Sequence, residues 1–205
     1  LIIGPVASRL IWHEWAARRW GACREYLQGD ECLTCQRVGA KPSGRASFEV
    51  FEGVTADIDA IREADAHAIF LSFAAARAWS EYFDKFDLGT LVVDEVHLAG
   101  TQNRRNITVE GIRRFNTVAK RTICASGTPV SNKPKGLWPI LVITTPGAFG
   151  RWFHYAVRYC AAHHGAHGLI ADGISNEDEL RKRLSEVMLR RRWTDITSSL
   201  PLITR

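Results

Sequence analysis

Two adjacent carboxylates, Asp94 and Glu95, are the residues whose type and position point most directly to chemistry. They follow the apolar run Leu91–Val93, and His97 stands shortly after them. At the end of a buried strand, one carboxylate can hold a Mg²⁺ ion that bridges phosphates, while the other orients and deprotonates the attacking water. The pair therefore predicts nucleotide hydrolysis. The alternative is that it only ends a strand and caps the next helix.

A second polar group follows another apolar run. Thr122–Ala125 is succeeded by Ser126, Gly127, Thr128 and Pro129. Small hydroxyl residues combined with Gly and Pro are typical of a tight, exposed turn. The hydroxyls of such a turn can face the end of the neighbouring strand, where the acidic pair would lie.

Short apolar runs alternate with helical patterns along the chain. This order predicts an α/β fold with a parallel sheet and helices on both of its faces. The expected strands are Leu1–Gly4, Ser47–Glu52, Ala68–Ser72, Leu91–Val93 and Thr122–Ala125. The expected helices are Val6–Trp20, Asp57–Ala66, Ala74–Phe83, Thr108–Ala119, Pro134–Leu141, Gly147–Ala162 and Asn176–Arg191. In such sheets the ligand site lies at the carboxyl ends of the strands.

The composition is that of a globular domain. Of the 205 residues 46% are hydrophobic and the formal net charge is only +5, which excludes a disordered chain. No apolar stretch approaches the roughly 18 residues of a membrane span. Because Leu1 opens a strand-like run, we interpret the chain as a fragment that begins inside a fold. Residues 121–205 carry 12 basic and 6 acidic side chains, which favours either a polyanion-binding patch or a solvated helix face.

The five cysteines favour free thiols in a reducing compartment, because their number is odd and one lies in an expected strand. A zinc site is a weaker alternative at two places. The first group, Cys23, Cys32 and Cys35, lacks a fourth ligand at finger spacing. The second group falls in a segment rich in Gly and Ala that predicts a surface loop. It consists of Cys160, His163, His164 and His167.

The order of the motifs resembles that of the SWI/SNF-type branch of the superfamily-two helicase-like, DNA-dependent ATPases. Leu91–His97 resembles the D-E-x-H Walker B motif of that family, and Ala125–Asn132 with Gly136–Trp138 resembles its third motif, although Ala125 stands where relatives usually have Thr. The further matches are Leu1–Trp20 to motif Ia, Ile69–Phe73 to motif Ib, and Val187–Asp195 with Leu200–Pro201 to the M-L-R-R…L-P signature. Phe153–Cys160 and Ser175–Leu180 are similar to the annealing-helicase subgroup, which rewinds DNA and remodels forks.

The resemblance implies a RecA-like sheet, the ligands ATP and Mg²⁺, and specific roles at the candidate site. Asp94 would coordinate Mg²⁺, Glu95 would be the catalytic base, and His97 would contact the third motif. The third-motif residues that would couple hydrolysis to movement are Ser126, Gly127 and Thr128.

The resemblance also implies a DNA-facing surface. Ser8, Arg9 and Ser72 lie in or beside the motifs that face DNA phosphates in relatives, and hydroxyls and an Arg suit contact with the backbone. The stretch Arg190–Arg192 is either a further DNA contact or structural packing. The partner would be double-stranded or branched DNA.

Two parts of the family's ATPase are not found in this sequence, namely the Walker A loop and the second RecA-like lobe with its arginine fingers. Gly39–Ala46 has the glycine spacing of Walker A, but Arg45 and Ala46 replace the required Lys and hydroxyl, so we reject it. We therefore expect a partial RecA-like lobe over residues 1–144 and a helical extension over 145–205 that leads toward the second lobe. The chain alone is expected not to hydrolyse ATP.

The full protein would be an intracellular motor on duplex DNA, nuclear in a eukaryote and cytoplasmic in a bacterium or virus. Its alternatives are a DEAH-type RNA helicase, the motor subunit of a restriction system, and a non-catalytic DNA-binding scaffold with a degenerate ATPase fold. A last alternative is an unrelated α/β protein in which D-E-V-H only ends a strand.

Overall fold

The computed structural model describes residues 1–20, 48–51, 66–99, 107–129, 133–166 and 168–191. Several sequence predictions fall elsewhere and lie outside the described residues. These are the possible zinc ligands Cys23, Cys32 and Cys35, the ligand candidate His167, Arg192, the signature residues beyond it, and nearly all of the helix expected over Asp57–Ala66.

Five strands form one parallel sheet in the described part of the chain. They are β1 (Ile2–Gly4), β2 (Phe48–Phe51), β3 (Ala68–Ser72), β4 (Leu88–Val93) and β5 (Ala119–Cys124). Their spatial order is β2-β3-β1-β4-β5, and all four neighbouring pairs run parallel. The predicted α/β fold with a parallel sheet is therefore confirmed.

Helices pack on both faces of this sheet. They are α1 (Arg9–Trp20), α2 (Phe73–Trp79), α3 (Ile107–Val118) and α4 (Trp138–Thr144). Two more helices, α5 (Trp152–Tyr159) and α6 (Glu177–Ser185), belong to a separate core. One face contributes Ile2 and Phe70 to a small core with Ala16 of α1. The other face contributes to the main core, which α2, α3 and α4 cover. None of the described helices is long and apolar enough to cross a bilayer.

A second apolar core lies beyond the sheet, in the C-terminal part of the chain. It gathers Phe149, Tyr155, Tyr159, Leu180 and others around helices α5 and α6. The helix α4 joins the two cores, because Ile140 and Ile143 belong to the main core while Leu141 belongs to the second.

The helices of the second core are shorter than the sequence predicts. The helix expected over Gly147–Ala162 is wrong at both ends, because Gly147 and Gly150 have φ of +81° and +73°, which a right-handed helix does not allow, and Ala161 has φ of +47°. The helix expected over Asn176–Arg191 ends at Ser185.

A short antiparallel hairpin after α5 was not predicted as such. It pairs β6 (His163–Gly165) with β7 (Gly168–Ile170). The positive φ of Gly168, +113°, suits the tight reversal between the two strands.

Candidate active site

The carboxyl ends of neighbouring strands bring the predicted site residues together. The N–H of Asp94 donates to the carbonyl of Ile3 over 2.8 Å, which continues the pairing of β1 with β4. On the other side, the N–H of Val96 donates to the carbonyl of Ala125 over 3.0 Å. The chain after β4 is therefore held between the ends of β1 and β5.

The two oxygens of the Asp94 carboxylate are each held by a hydrogen bond. The indole Nε1 of Trp12 donates to Oδ2 over 2.9 Å, and the backbone N–H of Glu95 donates to Oδ1 over 3.0 Å. Because a carboxylate oxygen has two lone pairs, each oxygen keeps one acceptor position. Carboxylate oxygen is the ligand type that Mg²⁺ prefers, often through water, so Asp94 fits the predicted Mg²⁺ role.

The backbone of Glu95 adopts a conformation that non-glycine residues rarely take. Its φ and ψ are +46° and +46°, in the left-handed region. This turn carries the chain from β4 into the short 3₁₀ helix Val96–Leu98 and leaves the side chain of Glu95 40% exposed. Strain of this kind costs about 1–3 kcal/mol and occurs often at active sites.

His97 connects the acidic pair to the turn after β5. Its Nδ1 lies 2.7 Å from Ser126 Oγ and 3.2 Å from Glu95 Oε2. The contact between His97 and Ser126 is a hydrogen bond whose donor is set by the imidazole tautomer, whereas Glu95 Oε2 is buried and makes no hydrogen bond within the described residues. The contact between His97 and the third motif is present, and its coupling role remains a prediction.

The turn after β5 is organised around the same hydroxyl. The N–H of Thr128 donates to Ser126 Oγ over 3.1 Å, so this oxygen gathers two donors when Nδ1 of His97 is protonated. Gly127 and Thr128 are exposed, whereas Ser126 is half-buried. Of the three third-motif residues, Ser126 is thus the one whose side chain contacts His97.

The predicted DNA-facing residues are in different environments. Ser8 is only 8% exposed and its hydroxyl donates to the carbonyl of Pro5 over 3.0 Å, so its proton is already used. Ser72 ends β3 and is the N-cap of α2, and its Oγ accepts from the N–H of Ala75 over 3.1 Å. Arg9 opens α1 and is half-buried. DNA contact by these three remains a prediction, with Ser8 the least able to donate to a phosphate.

Two site residues, Trp12 and Gly4, were not assigned a role from sequence. Trp12 bonds to Asp94 across a separation of 82 residues. Gly4 is buried, and a Cβ built there would lie 2.9 Å from Ser8 Oγ and 3.2 Å from Asp94 Cβ. Their only sequence signal was membership of the strand-and-tryptophan pattern that resembles motif Ia.

Much of the positive charge in the C-terminal part is paired within the structure. Arg158 binds Glu179 through Nε and Nη2, and this hydrogen bonding holds the pKa of Glu179 below its usual value. Lys135 bonds to Asp172 and lowers the pKa of that carboxyl in the same way. These exposed pairs leave the basic excess of residues 121–205 in place, so a polyanion-binding patch and a solvated helix face both remain predictions.

The described members of the candidate metal cluster around Cys160 do not form a metal site. Cys160 is fully buried in the second core, and burial raises the pKa of its thiol to about 11. His163 and His164 lie exposed on the hairpin. Across the described residues, no three His, Cys, Asp or Glu side chains are grouped as a metal site requires.

Comparison with known proteins places these observations in a family. The family model described as "SNF2-related domain" matches residues 50–204. The chain belongs to this SNF2-related family. The resemblance to this family that the motif order indicates is thereby confirmed. The similarity to annealing helicases is confirmed as well, since proteins with that name match this chain.

Three relatives show the extent of the similarity. The mouse DNA annealing helicase and endonuclease ZRANB3 is 33% identical over 207 residues, which cover 98% of this chain and 17% of that protein. The human protein of the same name is 32% identical over 134 residues, or 62% of this chain and 12% of that protein. The bovine SWI/SNF-related matrix-associated actin-dependent regulator of chromatin subfamily A-like protein 1 is 34% identical over 112 residues, or 54% of this chain and 12% of that protein.

A solved structure shares the fold. It is the Sulfolobus solfataricus SWI2/SNF2 ATPase core in complex with dsDNA, with a TM-score of 0.63 and 20% identity. The match covers 93% of this SNF2-related chain and 33% of the other. The predicted RecA-like class of the sheet is confirmed by this match. The chain spans less than a fifth of the length of the relatives named above.

Proposed function

We propose that this chain is part of an ATPase that couples ATP hydrolysis to movement on double-stranded DNA. One observation carries the proposal. In an SNF2-related chain, Asp94 of the acidic pair bonds to Trp12, which follows β1, and His97, just after the pair, contacts Ser126, which follows β5. An acidic pair that only ended a strand would have no need of both links.

The mechanism assigns a separate task to each carboxylate. Asp94 would hold Mg²⁺ through the acceptor positions that its two hydrogen bonds leave open. Glu95 accepts the proton of the water that attacks the γ-phosphorus, as the bond to the bridging oxygen breaks and ADP leaves. Bound Mg²⁺ supplies charge neutralisation at the phosphates. Glu95 Oε2 is buried 3.2 Å from His97 Nδ1 and makes no hydrogen bond within the described residues, so it has acceptor capacity for the proton of water.

Coupling to movement is assigned to the contact between His97 and Ser126. Loss of the γ-phosphate changes the charge next to Glu95, and His97 is the neighbour that transmits this change to the turn after β5.

Duplex or branched DNA would lie near Arg9, which follows β1, and Ser72, which ends β3. We place the whole protein inside the cell, in the nucleus if the source is eukaryotic.

The experiment that tests the proposal is ATP turnover by the full-length protein with duplex DNA, single-stranded DNA and duplex RNA. We expect DNA that contains duplex to stimulate turnover most. Stimulation by RNA alone would instead indicate an RNA helicase. No turnover with any of the three would indicate a non-catalytic DNA-binding scaffold.

The catalytic base has its own test, Glu95→Gln in the same protein. Because the amide cannot accept the proton of water, we expect turnover to fall by about 10²–10⁴-fold while ATP binding persists. Glu110→Gln is the matched control, since Glu110 is exposed and pairs with Arg113 one turn away on α3. Turnover of Glu95→Gln near that of wild type would show that the base is another residue.

A further inference from the structure

The side chain of Trp12 reaches from α1 to the candidate metal-binding carboxylate. Its Nε1–H donates to Asp94 Oδ2 over 2.9 Å. The ring packs against the small core of Ile2, Ala16, Ala68 and Phe70, and meets Trp15 edge-on at 5.8 Å between centroids. Packing therefore fixes the ring independently of the hydrogen bond, so the N–H has a set direction.

The hydrogen bond from Trp12 helps to fix the orientation of the Asp94 carboxylate. The indole N–H is a donor only, and an ionised carboxylate is an acceptor only, so the bond has one possible sense. The N–H of Glu95 holds the other oxygen, Oδ1. Two donors on two oxygens fix both the position and the rotation of the carboxylate plane. Without Trp12, the described contacts would hold Oδ1 alone, and Oδ2 could turn.

We propose that Trp12 is a positioning residue that orients Asp94 for Mg²⁺. This inference rests on the proposed function, because it presumes that Asp94 holds the metal. Groups that hydrogen-bond to a metal ligand typically change metal affinity or activity about 10–100-fold when they are removed. Trp12 also lies one turn after Arg9 on α1, so a displacement of the start of α1 reaches the metal-binding carboxylate through one side chain.

The first measurement compares Trp12→Phe with Trp152→Phe in the full-length protein. Trp12→Phe removes the N–H and keeps most of the ring, while Trp152 is a half-buried tryptophan of the second core. At saturating ATP and DNA, we expect the Mg²⁺ concentration for half-maximal turnover to rise about 10-fold or more in Trp12→Phe. It should stay unchanged in Trp152→Phe, and excess Mg²⁺ should restore much of the lost rate.

The second measurement does not depend on activity. The protein is labelled with 5-fluorotryptophan, and the ¹⁹F signal that disappears in Trp12→Phe identifies Trp12. We expect Asp94→Asn to shift this signal, because it removes the charge from the acceptor and keeps the shape. We also expect Mg²⁺ with a non-hydrolysable ATP analogue to shift it in the wild type, while the Trp152 signal stays in place.

The outcomes separate the inference from the proposed function. An unchanged Mg²⁺ requirement in Trp12→Phe, in a wild type that hydrolyses ATP, would overturn the positioning role and leave the proposed function standing. A Trp12 signal that ignores Asp94→Asn would overturn it as well. Absence of hydrolysis by the wild type with every nucleic acid would overturn the proposed function and this inference with it.

Discussion

Gly4 ends β1 at a point where a side chain would meet the candidate site. A Cβ would lie 2.9 Å from Ser8 Oγ and 3.2 Å from Asp94 Cβ, both closer than side chains normally approach. We predict that Gly4→Ala lowers the free energy of unfolding by about 1–3 kcal/mol, the usual cost of overpacking. Because Asp94 must shift, the Mg²⁺ requirement of turnover should also rise. Thermal unfolding and Mg²⁺ titration measure the two effects.

Gly89 provides the matched control within β4. It is exposed, and a Cβ there would meet no atom within 4 Å, so Gly89→Ala should change the free energy of unfolding by less than about 0.5 kcal/mol. Equal effects of the two substitutions on stability and on the Mg²⁺ requirement would contradict the close packing of Gly4 against Asp94.

At the scale of residues, the candidate catalytic residues were easier to find from the sequence than the residues that position them. Asp94, Glu95 and Ser126 could be found because polar residues directly after apolar runs must lie at strand ends. The support from Trp12 and Gly4 could not, because it depends on which strands are neighbours. The pairing of β1 with β4, which brings both residues to Asp94, is fixed only in three dimensions.

Beside the backbone bond from Val96 to Ala125, a hydrogen bond between the side chains of His97 and Ser126 links the ends of β4 and β5. We predict that Ser126→Ala weakens the coupling of hydrolysis to movement by about 0.5–2 kcal/mol, because the turn after β5 loses its contact with His97. Movement along duplex DNA should fall more than ATP turnover does. The measurement is the number of ATP molecules hydrolysed per base pair moved, from parallel translocation and turnover assays.

Thr117→Ala is the control for a lost hydroxyl. Thr117 is exposed on α3 and donates to the carbonyl of Arg114 in the same helix, so it links no two elements. A Ser126→Ala protein that moves as far per ATP as Thr117→Ala would show that the link does not couple the two processes.

At the scale of elements, strands buried on both sides were easier to predict than the residues at which strands and helices begin and end. The expected Ala68–Ser72 matches β3, since every residue of the run is apolar or small. The strand expected over Thr122–Ala125 begins earlier, at Ala119, because the backbone pairs with β4 even where Lys120 and Arg121 are exposed. For the same reason the helix expected to reach Ala119 ends at Val118. Backbone pairing at a polar stretch leaves no apolar signal.

Across the whole molecule, α4 contributes residues to both of the described cores. The hydroxyl of Tyr155, in the second core, donates to the carbonyl of Pro134 over 2.7 Å, and Pro134 precedes α4. On α4 itself, Ile140 and Leu141 are successive residues that belong to different cores. A domain boundary at residue 144, as the sequence predicts, would fall directly after this shared helix and remains a prediction.

If α4 makes the two cores one cooperative unit, a substitution that destabilises one core must lower the unfolding midpoint of both. We predict that Leu141→Ala lowers the free energy of unfolding by about 2–5 kcal/mol, as for other buried leucines. Tryptophan fluorescence, which includes Trp138 and Trp152 of the second core, and far-ultraviolet circular dichroism should give one shared, lowered denaturation midpoint. Leu189→Ala is the control, because Leu189 is 80% exposed and should cost less than about 0.5 kcal/mol. If Leu141→Ala instead gives two transitions, one of them at the wild-type midpoint, the cores unfold separately and the boundary after α4 divides two independent units.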